Sequence, residues 1–545
     1  MALGRSGDRL DNLFLAAVAL ATAQAGGVGA PVSSPPDASA IVLRDARFEG
    51  ARAIPSSDLA PAWNAYVGKS VTLDDLKAIA RRAEAIYAER GYPFVAVTVP
   101  PQAVADGLVR FQVTEGRLTD LTVLGDDAAA RRQATRIFQP LLGVQPLSAA
   151  AVERAYASAR DTPGLAVAGA LRQGSAPGGM DLVVETQRHP WRVYAGANNL
   201  NADPVGPWSL SLGADYYGAS AYGDQASIQA AASPDFDKQY SLRVQYKRKL
   251  NAYGTEAGLT LIGAKANPAG AVSALNLATD VAAGRFELSQ NLVDDGMVAI
   301  DLSAALEVND QETKIFGSER LSHDALRVAS FGGVVTVKGE RASGSAALEV
   351  RQGLDWAGAS QAGDPDLSRA SADPQAVLFR WRVDGQLKLL GQVGTVRLEG
   401  QDTGASLATP EQYVVGSQSI GRGYEPGAAF ADTARAVSLE LGHPGLKLIK
   451  GVRAEPFVFL DAVSLSNPKA DLDRLFAHRD LTSFGAGVRF DAPGALRLEL
   501  LYAAPQDAPL GLGEAKPGPS VLFNVTAGLQ GVLPALRHLT SGVAR

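Results

Sequence analysis

Two kinds of hydrophobic pattern divide this chain. Up to about residue 187, stretches with helical spacing are interleaved with stretches that alternate. Leu76, Ile79, Ala80, Ala83, Ile86 and Tyr87 fall on one side of a helix that Thr72 opens, with Asp75 as its capping-box partner. Gly91 and Pro93 stop it. Val152, Ala155, Tyr156 and Ala159 form a similar stripe behind Ser148, and Asp127–Phe138 reads as a further helix. Strand-like runs start at Ile41 and lie at Phe94–Val99, Leu108–Val113, Leu118–Leu124, Leu165–Leu171 and Asp181–Glu185. The pattern predicts two small α+β modules, residues 41–117 and 118–188, with helices packed on short sheets.

After His189-Pro190 the helical period all but disappears. Segments of about ten residues follow one another, separated by Gly, Asp, Asn and Pro. Leu242, Val244 and Tyr246 alternate with Arg243, Gln245 and Lys247; Phe379, Trp381 and Val383 alternate with Arg380, Arg382 and Asp384. Val437, Leu439 and Leu441 oppose Ser438 and Glu440. A period of two puts each set on its own face, one apolar and one carrying charges of both signs. In lipid every backbone N–H and C=O must find an internal partner, so an exported sheet of this kind has to close on itself. We count roughly sixteen such strands, an even number as bacterial barrels have. Residues 191–530 are therefore expected to form a transmembrane antiparallel β-barrel, with 531–545 as a C-terminal tail. The competing reading is a soluble sandwich, which at this length needs two domains and hence a linker that the segment does not show.

Export is indicated separately. Leu13–Ala21 is a short apolar run, and Ala23-Gln24-Ala25 fits a small-residue cleavage site, so 1–25 reads as a signal peptide and 26–40 as a linker. No stretch is apolar for the ~18 residues a membrane-spanning helix needs. The chain has no Cys, which removes disulfides, thiol catalysis and Cys-based metal sites. Its net charge of −6 gives no reason to expect a nucleic-acid partner. The five His are scattered without metal-ligand spacing; no G-x-S-x-G turn sits between strand and helix, and no phosphate-binding G-x-x-x-x-G-K-[ST] occurs. Neither an enzyme nor a cofactor is expected.

Several motifs together resemble a known family. Thr72–Leu76, Glu89-Arg90-Gly91-Tyr92-Pro93, Val99-Pro100-Pro101-Gln102 and Thr114–Leu118 are similar to the first POTRA domain of two-partner secretion transporters, the TpsB exporters of haemolysins and filamentous haemagglutinins. Asp161-Thr162-Pro163-Gly164, Leu171–Gly174 and Gly179–Leu182 are similar to their second POTRA domain. The resemblance runs from about residue 41 to 530. It implies an outer-membrane transporter with periplasmic POTRA domains, whose partner is a secreted exoprotein carrying an N-terminal secretion domain. An assembly factor that inserts outer-membrane barrels is the alternative within the same superfamily. Many relatives place a plug helix and a long linker before the first POTRA domain. The ~15 residues between the cleavage pattern and the first strand leave no room for both, so no plug helix is expected. Relatives usually end on an aromatic residue, whereas Leu529 ends the last strand here.

Two further motifs fall in the barrel. Gly421-Arg422-Gly423-Tyr424 lies in a long segment, Thr403–Thr433, and resembles the tip of the family's sixth extracellular loop, which folds back into the barrel. Phe459-Leu460-Asp461 resembles the family's phenylalanine-x-aspartate strand motif. The resemblance implies that Arg422 meets Asp461 inside the barrel. The strand pattern leads to the same face. Arg453, Glu455, Phe457, Phe459 and Asp461 share one parity, and an Arg on the lipid face costs about 2–4 kcal/mol at midplane, so that set faces the lumen. Two rings in a polar lumen need a cover, which Arg422 and Tyr424 on an inserted loop would supply. The expected arrangement is a latch of Arg422, Gly423, Tyr424, Phe459 and Asp461, supported by Arg453, Glu455 and Phe457.

Overall fold

The computed structural model describes residues 41–529, apart from 105, 219, 221–222, 252–253, 295, 417–419, 449–450, 470–475, 494 and 511–514. The signal peptide, the linker, the missing plug helix and the C-terminal tail read from the sequence lie outside the described residues. The chain forms two compact units that part between His189 and Pro190.

In the first unit, strands β1 (Ile41–Val42) and β3 (Ser70–Val71) pair with each other. A three-stranded sheet is built from β2 (Asp45–Glu49), β4 (Val95–Thr98) and β5 (Leu108–Glu115), in the order β2-β5-β4. Helix α1 (Leu73–Glu89) buries Leu76, Ile79, Ala80, Ala83 and Tyr87 in a core shared with Phe48, Val109 and Phe111. Both ends of α1 carry their own stops. The Thr72 hydroxyl accepts from the Asp75 N–H at 3.2 Å and the Asp75 carboxylate accepts from the Thr72 N–H at 2.8 Å. The Tyr92 N–H returns to the Tyr87 carbonyl at 2.9 Å, and Gly91 takes the positive φ that this termination requires.

The second module repeats the scheme. Strands β6 (Arg117–Leu124), β7 (Leu165–Gln173) and β8 (Gly179–Arg188) form a sheet in the order β6-β8-β7, covered by α2 (Ala128–Phe138) and α3 (Ala149–Arg160). Asp127 caps α2 by accepting from the Ala129 and Ala130 N–H groups, and these bonds hold its carboxyl below the usual range.

The Thr114–Leu118 motif has a structural cause. Glu115, 2 % exposed, accepts from the Arg52 and Ala53 N–H groups at 2.7 Å each and from the Tyr87 hydroxyl at 3.2 Å. A Cβ on Gly116 would stand 2.3 Å from the Phe94 carbonyl oxygen, and Leu118 already belongs to the second core. Burial, with the Glu115 charge beside it, pushes the Tyr87 hydroxyl upward. The 3-10 segment at Ser56–Ala62, whose buried residues are Leu59 and Ala62, was not legible.

The second unit is a closed antiparallel barrel. Sixteen strands span it, from Trp191–Asn198 to Ser520–Gly528, and a two-residue strand, Leu446–Lys447, in the connection between the twelfth and the thirteenth pairs with the start of the thirteenth. The seventh (Val298–Ile315) and eighth (Glu319–Lys338) run longest. The last strand meets the first through only five residue pairs, Asn524–Gly528 with Asn198–Tyr194, and the Leu529 N–H adds a bond to the Val193 carbonyl. Alternation reads through directly: Leu306, Phe331, Leu348, Leu439, Leu460 and Phe484 stand exposed on the outside, where lipid covers them, while charged residues line the inside. Among the described residues no helix is long and apolar enough to cross a membrane.

Candidate functional site

The register across three neighbouring strands decides what faces the lumen at one level of the wall. Ser438 of the twelfth strand (Thr433–Gly442) lies beside Asp461 of the thirteenth (Arg453–Ser466), and Asp461 beside Ser483 of the fourteenth (His478–Ala492). One row nearer the end where the chain enters, Glu440, Phe459 and Gly485 line up in the same way. These wall positions therefore place two carboxylates, Asp461 and Glu440, on adjacent rows of neighbouring strands, with the Phe459 ring beside Glu440.

The connection from residue 403 to 432 follows the eleventh strand (Gln392–Asp402), so it lies at the end opposite to the one where the chain enters the barrel, and it is the sixth connection there. It turns inward. A short hairpin, Tyr413–Val415 with Ala429–Ala431, packs its Val415, Ile420, Tyr424, Ala429 and Ala431 on the lumen-facing Ala434, Ala436, Val463, Leu465 and Leu481. At its tip Arg422, 4 % exposed, crosses the ring of Phe459 with its guanidinium carbon 3.7 Å from the ring centroid.

Each nitrogen of the Arg422 guanidinium is engaged. Its Nε donates to Asp461 Oδ2 at 3.0 Å and its Nη2 to Asp461 Oδ1 at 2.8 Å, a two-pronged fork. Nη2 also donates to the Ser438 hydroxyl at 2.9 Å, and Nη1 to Glu440 Oε2 at 3.1 Å. The Arg422 backbone N–H adds a bond to Asp461 Oδ2 at 3.0 Å. Asp461 has no solvent exposure. The loop bends this way because Gly421 and Gly423 both have positive φ, and a Cβ on Gly423 would meet that of Ala503 at 2.9 Å.

The remaining sequence-nominated residues divide. Tyr424 does not lie on the lumen rings: it packs among the aliphatic residues above, donates its hydroxyl to the Thr482 carbonyl at 2.9 Å and accepts from the Asp507 N–H at 3.1 Å. Phe457 is stacked under Arg489, at 3.8 Å, not under the loop. Arg453 pairs with Glu455 at 3.2 Å and Asp491 at 3.0 Å, away from the tip.

Sequence reasoning missed the rest of the constellation. Arg489 pairs with Glu440 on one side and Glu499, at 2.6 Å, on the other, so Glu440 is shared between two guanidinium groups. Gly485 and Gly487 of the fourteenth strand lie opposite Phe459 and Phe457, and a Cβ on either would stand 2.5 Å from the facing ring. Parity had already turned Ser438 and Glu440 inward; the Gly-x-Gly-x-Arg spacing at 485–489 was the signal for the others. A further contact fixes the loop's return: Arg369, from the connection between the ninth and tenth strands, forms a buried pair with Asp432.

The profile of the family described as haemolysin secretion/activation protein ShlB/FhaC/HecB matches residues 178–490, and that of the ShlB-type POTRA domain matches 41–116. The chain belongs to the haemolysin secretion/activation family. The heme/hemopexin transporter protein HuxB of Haemophilus influenzae is 20 % identical over 483 residues, covering 83 % of this chain and 81 % of that protein. Among solved structures, CdiB from Escherichia coli superposes with a TM-score of 0.72 at 16 % identity, covering 96 % of each chain. CdiB from Acinetobacter baumannii gives 0.62 at 14 %, over 96 % of this chain and 97 % of that one. These two likenesses establish the fold. As a member of the family, the chain is an outer-membrane transporter of two-partner secretion: its POTRA domains stand in the periplasm, and an exoprotein is secreted through its barrel.

Proposed function

We propose that this transporter recognises one unfolded exoprotein by an N-terminal secretion domain, and that the 403–432 loop is a latched occupant of the lumen that yields to it. The proposed layout is a signal peptide (1–25), a linker (26–40), POTRA domains at 41–117 and 118–188, a lipid-embedded barrel (191–530) and a tail (531–545). The observation that carries the latch is the Arg422 guanidinium lying on Phe459 and forked to Asp461. A pair withdrawn from water is a poor source of net stability, because desolvation offsets much of its Coulomb attraction. Its value is positional. Removing one partner leaves a buried charge uncompensated, at a cost of about 3–5 kcal/mol.

Docking proceeds by strand addition. The two POTRA sheets end on β4 and β7, and an extended segment of the exoprotein adds its backbone bonds to such an edge. Ordering an unfolded segment costs entropy, so each contact is weak and the segment can move on. Translocation draws on folding of the exoprotein outside and involves no catalysis by this chain. Barrel-assembly activity is disfavoured by the match to the haemolysin secretion/activation family.

Single-channel recording in a planar bilayer tests the latch. The wild type gives small discrete openings, and deletion of the loop around Arg422 enlarges them. Asp461→Ala alters both conductance and secretion of the partner. If neither changes, the pair is structural filler and the latch is wrong.

A further inference from the structure

The tip is not the only place where the sixth loop grips the wall. Before the hairpin, a single turn at Thr409–Glu411 sets Glu411 against the lumen face of the ninth strand (Ala342–Gly353) and the tenth (Val377–Leu389). Glu411 is 8 % exposed. Its Oε1 accepts from Arg351 Nη2 at 2.7 Å; its Oε2 accepts from Arg351 Nε and from Arg380 Nη2, both at 3.1 Å. The Glu411 backbone carbonyl accepts from Arg380 Nη2 at 3.1 Å and from Gln401 Nε2 at 2.9 Å.

The wall supplies Arg351 with carboxylates of its own, but they stand farther off: Glu307 at 3.4 Å and Glu349 at 3.5 Å, both also shared with Arg285. The loop carboxylate is thus the nearest acidic partner of Arg351 among the described residues, and it is the group that lies between the Arg351 and Arg380 guanidinium groups. If the loop leaves, two cations face each other across the vacated place, and water or an incoming acidic group has to replace Glu411.

The polarity is the reverse of the tip. There the loop brings the guanidinium and the wall the carboxylates; here the loop brings the carboxylate and the wall the guanidinium groups. The two contacts also straddle the loop's roots. The chain leaves from the eleventh strand and returns by the twelfth; Glu411 holds back to the ninth and tenth, whereas Arg422 holds forward to the twelfth and thirteenth. We propose that Glu411 is a second positioning residue, so that two clasps of opposite polarity hold the sixth loop and it leaves the lumen only when both are broken. This rests on the loop being an occupant of the lumen, as argued above.

A double-mutant cycle on the full-length protein in liposomes tests it. Because the chain has no Cys, a single reporter at Ala428→Cys reads the loop's exposure by its rate of labelling with a maleimide, alongside planar-bilayer conductance. Glu411→Gln and Arg422→Gln each raise labelling by about tenfold or more while staying short of the loop deletion, and the double variant gives about the product of the two and approaches the conductance of the loop deletion. Arg380→Gln attacks the same clasp from the wall and behaves as Glu411→Gln; Glu411→Asp, which keeps the carboxylate, stays near the wild-type labelling rate. Heat-modifiable migration certifies that each barrel is assembled. If Arg422→Gln alone already matches the loop deletion, or if Glu411→Gln leaves labelling unchanged in both the wild-type and the Arg422→Gln background, Glu411 holds nothing and the proposal falls while the latch at the tip stands. If deleting the loop leaves conductance unchanged, the occupant reading fails first, and the second clasp with it.

Discussion

The two units bury carboxylates in opposite ways. In the first module Glu115 lies inside an apolar core and is answered by two backbone N–H groups and a tyrosine hydroxyl, all neutral donors fixed by the fold. In the barrel Asp461 is answered by a guanidinium that arrives on a loop. Neutral backbone donors cannot leave without unfolding the module. A loop-borne cation can leave if something else takes its place. The same inversion holds for the apolar residues: Phe48 and Phe111 stack at 4.9 Å inside the first module, whereas Leu439, Leu460 and Phe484 form a row on the outside of the barrel. A folded module is closed for good around its core. A barrel with its apolar side outward is free to keep charge, and exchangeable contacts, within.

The largest expected effect breaks that contrast at the core. Phe111→Ala costs about 3–5 kcal/mol in the first module, seen as rapid proteolysis of residues 41–189 while the barrel keeps its heat-modifiable migration. Equal loss of that migration ties the stabilities of the two units together. Next, Leu460→Arg puts a charge on the outer face at a cost of about 2–4 kcal/mol and reduces assembled barrel in the membrane fraction; full assembly contradicts the lipid-facing assignment. Glu115→Ala leaves the Arg52 and Ala53 amides without their acceptor, costs about 1–3 kcal/mol and speeds hydrogen exchange at those two amides. Unchanged exchange there removes Glu115 from the comparison.

The smallest effect is a titration. Asp127 titrates below its usual value when folded, so its contribution is fully present above about pH 4 and is lost as pH falls through the folded value. The cap is worth under about 1 kcal/mol at this exposed site. Relative to the intrinsic exchange rate at each pH, the protection of the amides along Ala128–Phe138 falls on acidification, and Asp127→Asn flattens that dependence.

Much of this architecture was written in periodicity. Thr72, Asp75, Gly91 and Tyr92 state where a helix starts and stops through local bonds that any copy of that segment makes. Alternation told which side each barrel residue faces, hence the inward turn of Asp461, Phe459 and Glu440. It did not tell which partner each would meet, because that depends on register between strands distant in sequence. Tyr424 shows the limit: it was expected among the lumen rings, yet it packs higher, on Val463, Leu465 and Leu481. Glu411 was invisible for the same reason. Nothing near it in sequence announces Arg351, 60 residues earlier.

The fourteenth strand adds a consequence of scale. Under the loop tip the barrel wall is a stack of flat layers: the backbone at Gly485, the Phe459 ring, then the Arg422 guanidinium. Layers add their thickness. A methyl at 485 has no room: it would stand 1.9 Å from the Tyr502 carbonyl oxygen of the neighbouring strand and 2.5 Å from the Phe459 ring, so strand and ring would both have to give way. How deep the tip of the sixth loop settles is thus gauged by a position that contributes no side chain.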